Sequence, residues 1–359
     1  MKIRRGWALG AIALLITLLL PLVLSAPLLS LPTEVFIFAV FAMSYDLIFG
    51  YTGLISFGQA LFVGSGGYAL AVATGQHGLP LWLGLVTAAG IGLALALITG
   101  MLALRTRGVY FAMVTLAFAQ AAVTFAGNDI GNLTGGTNGE TVNNLPNWLV
   151  APGNEMHLYY VTLGFLVAAF LLLRLLVSSP GGRVWQAIRE NEGRARMLGY
   201  RPYPYKLAAY AVSGTVCGLA GGMYAIYIGY VSTDNLSAGI TIQLLLMVII
   251  GGAGSLWGAV AGAGVLEYAN HYLNQLPGSG LLSHFPIWVQ NTAGQPLLIL
   301  GIIYLGLIYF FPEGIAGLLQ KHAPWLSGGR AIPGIESSPG TPAASTQPPP
   351  NLAEHLEGG

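Results

Sequence analysis

The sequence predicts an all-α, polytopic integral membrane protein of about ten transmembrane helices. Three observations predict it. Hydrophobic residues make up 55% of the 359-residue chain and charged residues only 8%, where a soluble domain carries about 25% charged residues. Mean hydropathy is +0.69. Between positions 47 and 104 there is no Asp, Glu, Lys or Arg, which leaves room for two crossings at about 20 apolar residues each.

Apolar runs place the candidate spans at about 7–24, 34–49, 54–74, 79–104, 109–126, 157–176, 207–230, 240–252, 256–273 and 296–311. The run at 7–24 follows a basic start and is expected to remain as an uncleaved first helix, since the next span begins within about ten residues. The spans at 240–252 and 256–273 are short and joined by GGAGSLWG (251–258). Read as one helix they are too long for a single crossing, so the glycines predict a tight hairpin or a broken helix. Glycines at 50, 53, 58, 64, 66 and 67 allow either close helix packing or unwound backbone lining a cavity.

Basic residues set the orientation. With Lys2, Arg4 and Arg5 in the cytoplasm, ten crossings put Arg105, Arg107, Arg174, the block 181–206, Lys321 and Arg330 on the same side. The loop 127–156 holds Asp129, Glu140 and Glu155 without Lys or Arg and is expected outside. Both termini are then cytoplasmic. Residues 1–322 form the expected membrane domain. Residues 323–359, rich in Pro, Gly, Ser and Thr, are expected to be a disordered tail.

The block 181–206, GGRVWQAIRENEGRARMLGYRPYPYK, holds six of the fourteen basic residues. Val184, Ile188, Ala195 and Leu198 recur at helical spacing, which predicts one short amphipathic helix over 183–198, stopped by Gly199. Such a helix suits the inner lipid surface or a groove on a soluble partner.

Three stretches carry a family resemblance. AIRENEGRARMLG (187–199) is similar to the cytoplasmic loop of ABC-importer permeases for branched-chain amino acids, LivM type, with Arg194 where an alanine is usual. GYTGLISFGQALFVGSGGYALAV (50–72) resembles the glycine-rich segment of that family. The run 224–263 resembles the family's stretch ending GGxGSxxGPxxGA, with Ala259 in place of proline. The resemblance implies a coupling loop that docks on a nucleotide-binding subunit through Arg189, Glu190, Glu192, Ala195, Leu198 and Gly199. It also implies a second homologous permease, two ATPase subunits and an extracytoplasmic substrate-binding protein in a bacterial inner membrane. Urea or short-chain amides are the alternative cargo.

Among membrane-placed polar residues, Asp46 is expected to pin the glycine-rich segment, with substrate contact as the alternative. Gln59 is expected either to bond between helices or to line the route, and Tyr51 to pack at an interface. These three are the candidate substrate path. Glu267 is expected at the outer mouth or in an interhelical hydrogen bond. The sequence has no GxxxxGK[ST] phosphate loop, HExxH or CxxC, and no nucleophile–base pair stands out. The expectation is a transport subunit with no catalytic or metal residues, binding no cofactor and no nucleic acid, with ATP consumed by a partner. A stand-alone channel or secondary transporter is the different-class alternative; it would need paired intramembrane charges, which are few.

Overall fold

The computed structural model describes residues 15–22, 26–129, 131, 133–150, 155–275, 301, 314–315 and 317. The protein is helical and multi-pass. Among the described residues, five helices are long and apolar enough to cross a membrane, or six if one bent pair counts as a span. The expected span at 296–311, apart from residue 301, and the tail at 323–359 lie outside the described residues, as does most of the span at 7–24.

Helix α1 (Ser30–Asp46) reads apolar around its whole circumference and is correspondingly buried at twelve consecutive or near-consecutive positions from Thr33 to Asp46; such a helix belongs inside a bundle. It widens into a π-helical turn, Leu47–Tyr51, and the chain then leaves helical geometry until α2 (Gln59–Gly75). Unwound backbone at membrane depth must find partners inside the protein, and hydroxyls supply them. Thr52 Oγ1 donates to the carbonyl of Ile48 at 2.5 Å, and Tyr45 Oη to that of Ser56 at 3.1 Å. The Phe57 N–H donates to Thr115 Oγ1 at 3.0 Å, and the Ala60 N–H to Thr241 Oγ1 at 2.9 Å. Side chains from two other helices thus cap α2, which has no side-chain cap of its own.

Helix α3 (Leu81–Ala103) begins directly after Pro80 and α4 (Val109–Gly127) after Gly108. The buried positions of α3 include Gly84, Ala88, Gly92, Ala96 and Gly100, one small residue every fourth position. That stripe lets α3 approach helix α8 (Pro202–Ile228) until a Cβ on Gly218 would stand 2.8 Å from the Ala88 carbonyl. Van der Waals packing at this distance replaces the hydrophobic driving force that lipid cannot provide. Gly66, inside α2, faces Gly218 of α8 in the same manner, so the early glycines serve both expected roles: those at 53 and 58 flank the break and those at 64–67 pack a continuous helix.

Helix α5 (Glu155–Ser178) returns to the charged end, where α6 (Pro180–Glu190) and α7 (Glu192–Met197) form the block. The opposite end is tied by a two-residue antiparallel pair, β1 (Glu140–Thr141) with β2 (Tyr230–Val231). There Asp129 accepts from the N–H groups of Thr134 and Gly135 and from the Thr134 hydroxyl. The Thr134 N–H first of all holds this carboxyl below the usual carboxylate range.

Helices α9 (Ala238–Gly251) and α10 (Leu256–Gln275) are bent by 117° at the intervening glycines. Gln243 of α9 donates to Glu267 of α10 at 2.7 Å, and Gly262 lies against the Met247 carbonyl. The two therefore fold back on each other as a hairpin, one of the two forms the glycines allowed. A re-entrant hairpin and a pair of crossings return the chain to the same side, so the distribution of basic residues is equally compatible with either.

Candidate functional site

The charged block is not one helix. Ser179 opens α6, its Oγ accepting from the Gly182 N–H at 3.2 Å with Pro180 as the first helical residue, the position where a missing N–H does no harm. At Asn191 the backbone turns extended (φ −160°, ψ 102°), and its Oδ1 accepts from the Arg194 N–H at 2.9 Å. Asn favours this N-cap role over a helix interior, and the expected continuous 183–198 helix is corrected to α6 and α7. Gly199, at φ +88°, ends α7 as expected. The Tyr200 N–H bonds the Ala195 carbonyl and the Gly199 N–H that of Arg196, at 3.1 and 2.9 Å, a Schellman closure.

The apolar face of the block packs inward. Val184, Ile188 and Ala195 are buried together against Tyr205, and Trp185 Nε1 donates to the Tyr205 carbonyl at 2.8 Å. Ala195 therefore holds the loop to the protein itself, a role the spacing alone did not reveal. Leu198 is 70% exposed and Met197 84%, and Glu190, Arg194 and Arg196 are exposed beside them. Glu192 is bonded to Arg196 at 2.5 Å and to Lys206 at 2.6 Å. Burial opposes its charge, yet the two cations hold its carboxyl below the usual range.

Arg189 is the residue whose position the sequence did not signal. From the last turn of α6 its guanidinium donates to the Gly50 carbonyl, and its stem covers Gly53, where a Cβ would stand 3.1 Å from its Cγ. Its Nη1 is also next to Gly254, which adopts φ +88°. Gly50 and Gly254 touch each other, and Asp46, fully buried, accepts from the Gly254 N–H at 2.7 Å. A side chain on Gly50 would collide with both the Asp46 carboxylate and the Gly254 N–H. One arginine of the charged block, one carboxylate of α1 and both glycine breaks thus meet at one point. Asp46 does pin a glycine segment, but the one it bonds directly is the second break.

The other expected path residues lie within the helix pack. Tyr51 is buried next to this junction, close enough to Asp46 and Arg189 to feel their charges. Gln59 is fully buried between α1 and α8, its Nε2 donating to Ser213 Oγ at 2.8 Å. Ser213 in turn donates to the Ser44 carbonyl at 2.6 Å, the interhelical bonding expected of a polar residue at this depth. Among the described residues no three His, Cys, Asp or Glu side chains are grouped to hold a metal ion.

Residues 28–307 match the family described as branched-chain amino acid transport system / permease component. The chain belongs to this family. It is 27% identical over 305 residues to the high-affinity branched-chain amino acid transport system permease protein LivM of Salmonella typhimurium, covering 77% of this chain and 72% of that one. It is 27% identical over 298 residues to LivM of Escherichia coli, covering 75% and 70%. The autoinducer 2 import system permease protein LsrC of Salmonella paratyphi B is 27% identical over 234 residues, covering 64% and 65%. No solved structure matches. As a permease of this family the chain is a multi-pass transport subunit, and the matched region takes in the charged block, both glycine breaks and the hairpin.

Proposed function

We propose that the protein is the membrane-spanning permease subunit of an ABC importer that moves branched-chain amino acids across a bacterial inner membrane, driven by ATP hydrolysis in a partner. The observation that carries this reading is the Arg189 junction, which puts the charged block in contact with both interruptions of the helix pack. One of two nucleotide-binding subunits docks on the exposed surface of α6 and α7, around Met197, Leu198, Glu190, Arg194 and Arg196. A second permease and an extracytoplasmic binding protein complete the complex, and both termini lie in the cytoplasm. The chain itself binds no ATP.

A docked subunit that moves the block pulls on the Gly50 carbonyl through Arg189 and on the hairpin tip at Gly254. ATP shifts the permease between two states only by contacting them differently, and this junction delivers that difference to α1, α2 and the hairpin together. Rigid transmission needs the block to be fastened to the protein, which is what the buried Val184, Ile188, Ala195 and Tyr205 accomplish.

The test is the reconstituted complex, assayed for binding-protein-dependent ATP hydrolysis and uptake with leucine, isoleucine, valine, urea and the autoinducer handled by the LsrC relatives. Stimulation and accumulation with the branched-chain set are expected. Response to urea or the autoinducer alone would reassign the cargo, and concentrative uptake without ATP would replace the importer with a secondary transporter.

A further inference from the structure

At the end of the molecule opposite the charged block, a cavity of about 400 Å³ is lined by Glu34, Phe38, Tyr224, Gln243, Glu267 and, at its rim, Asn270 and His271. It sits at the mouth of the α9–α10 hairpin, between that hairpin, the first turns of α1 and the last turns of α8. Its size is at the lower end of the range for small-molecule sites.

The chemistry of its walls is uneven. Two carboxylates, Glu34 and Glu267, lie near enough to repel each other, and Glu267 is 5% exposed. Gln243 donates one hydrogen bond to Glu267, which orients its carboxyl group. No Lys or Arg occurs between positions 107 and 174 or between 206 and 321, the stretches that contain the hairpin, β1, β2 and the end of α8. His271 is the imidazole beside Glu34. Paired carboxylates placed in the membrane call for a cation, and the side chains are not grouped to hold a metal ion. In the same cavity Phe38 and Tyr224 stand edge to face, 5.5 Å between centroids.

We propose that this cavity receives the cargo on its way into the membrane, with Glu34 and Glu267 binding a primary ammonium group and Phe38 and Tyr224 covering an aliphatic side chain. The inference rests on the reading of the chain as an amino-acid permease and names the part of the zwitterion that is recognised. The walls also connect it to the junction: Glu34 and Asp46 are on the same helix, about 18 Å apart along its axis at 1.5 Å per residue, and the hairpin carries Gln243 and Glu267 at its mouth and Gly254 at its tip. A displacement at Arg189 therefore acts on both walls of the cavity.

The experiment uses the complete complex in proteoliposomes with Glu34→Gln, Glu267→Gln and the double variant, which keep side-chain volume and hydrogen-bonding capacity. Leucine taken up per ATP hydrolysed is expected to fall about tenfold in each single variant, the effect of losing one charge-assisted contact of ordinary strength. Hydrolysis stimulated by the binding protein should persist. Glu34→Asp, which keeps the charge at a half-buried position, should recover most of the uptake that Glu34→Gln loses; this contrast decides the matter if a Glu267 variant fails to assemble. Wild-type uptake per ATP in the double variant, or equal loss with Asp and Gln at position 34, would overturn the assignment. If the wild-type complex moves only a cargo without an amino group, the amino-acid reading itself fails, a result visible before any variant is made.

Discussion

Replacing Arg189 with alanine is the sharpest perturbation of the transmission pathway. The substitution removes the guanidinium that donates to the Gly50 carbonyl and the positive charge facing Asp46. A hydrogen bond from a charged donor contributes about 1.5–3 kcal/mol. Because the Arg189 side chain is largely exposed, a value of about 2 kcal/mol is appropriate, which shifts a two-state equilibrium by roughly 30-fold. Nearby groups add to this in opposite directions: the Gly50 carbonyl is left buried without that donor, while α2 keeps its Thr115 and Thr241 caps. The permease should therefore stay folded and assembled while losing coupling. In nanodiscs containing the whole complex, leucine uptake per ATP hydrolysed is expected to drop at least tenfold, with recovery of part of it in Arg189→Lys, which restores the charge but not the guanidinium geometry. An Arg189→Ala complex with wild-type uptake per ATP would refute the junction as the route of transmission.

Single cysteines replacing Asn138 and Arg194 in a Cys217→Ser background are expected to react with an impermeant maleimide from opposite faces of the membrane; reaction from one face alone would contradict the assigned orientation. Ala195→Asp puts a carboxylate among Val184, Ile188 and Tyr205 at a cost of several kcal/mol, so it should loosen the block and make it susceptible to limited proteolysis. Leu198→Asp, at a 70% exposed position, should leave proteolysis unchanged and reduce only co-purification of the ATPase subunit. Gly199→Val forces a β-branched residue to φ +88°, costing about 1–2 kcal/mol from the backbone alone, since no atom lies within 4 Å of the new Cβ; the permease should remain in the membrane with a lower midpoint for thermal loss of uptake. Glu192, whose folded-state affinity for protons is below the unfolded reference of 4.5, contributes to holding α7 on Lys206 above that pH. This contribution, under about 1 kcal/mol for a partly exposed pair, is lost as pH falls through the folded value, and Glu192→Gln should abolish that pH dependence in a proteolysis titration.

The sequence alone determined the class of solvent and most of the helix positions. Charge-free stretches of span length admit few other solutions in a bilayer, and Gly199 marks a helix end by chemistry that acts within a few residues. It also located both interruptions, because runs of glycine are legible as either breaks or close contacts. What remained for the tertiary structure was the choice between equivalent readings. Periodicity put Val184, Ile188, Ala195 and Leu198 on one face; the first three are buried against Tyr205 of the next helix, while Leu198, beyond the break at Asn191, is exposed. The glycines at 251–254 allow either a broken helix or a hairpin, and the Gln243–Glu267 bond with the 117° bend shows that the two helices fold back on each other. The junction was beyond the sequence for the same reason: Asp46 with Gly50, Arg189 and Gly254 come from three distant segments, and only long-range packing, which no local pattern encodes, brings them into contact.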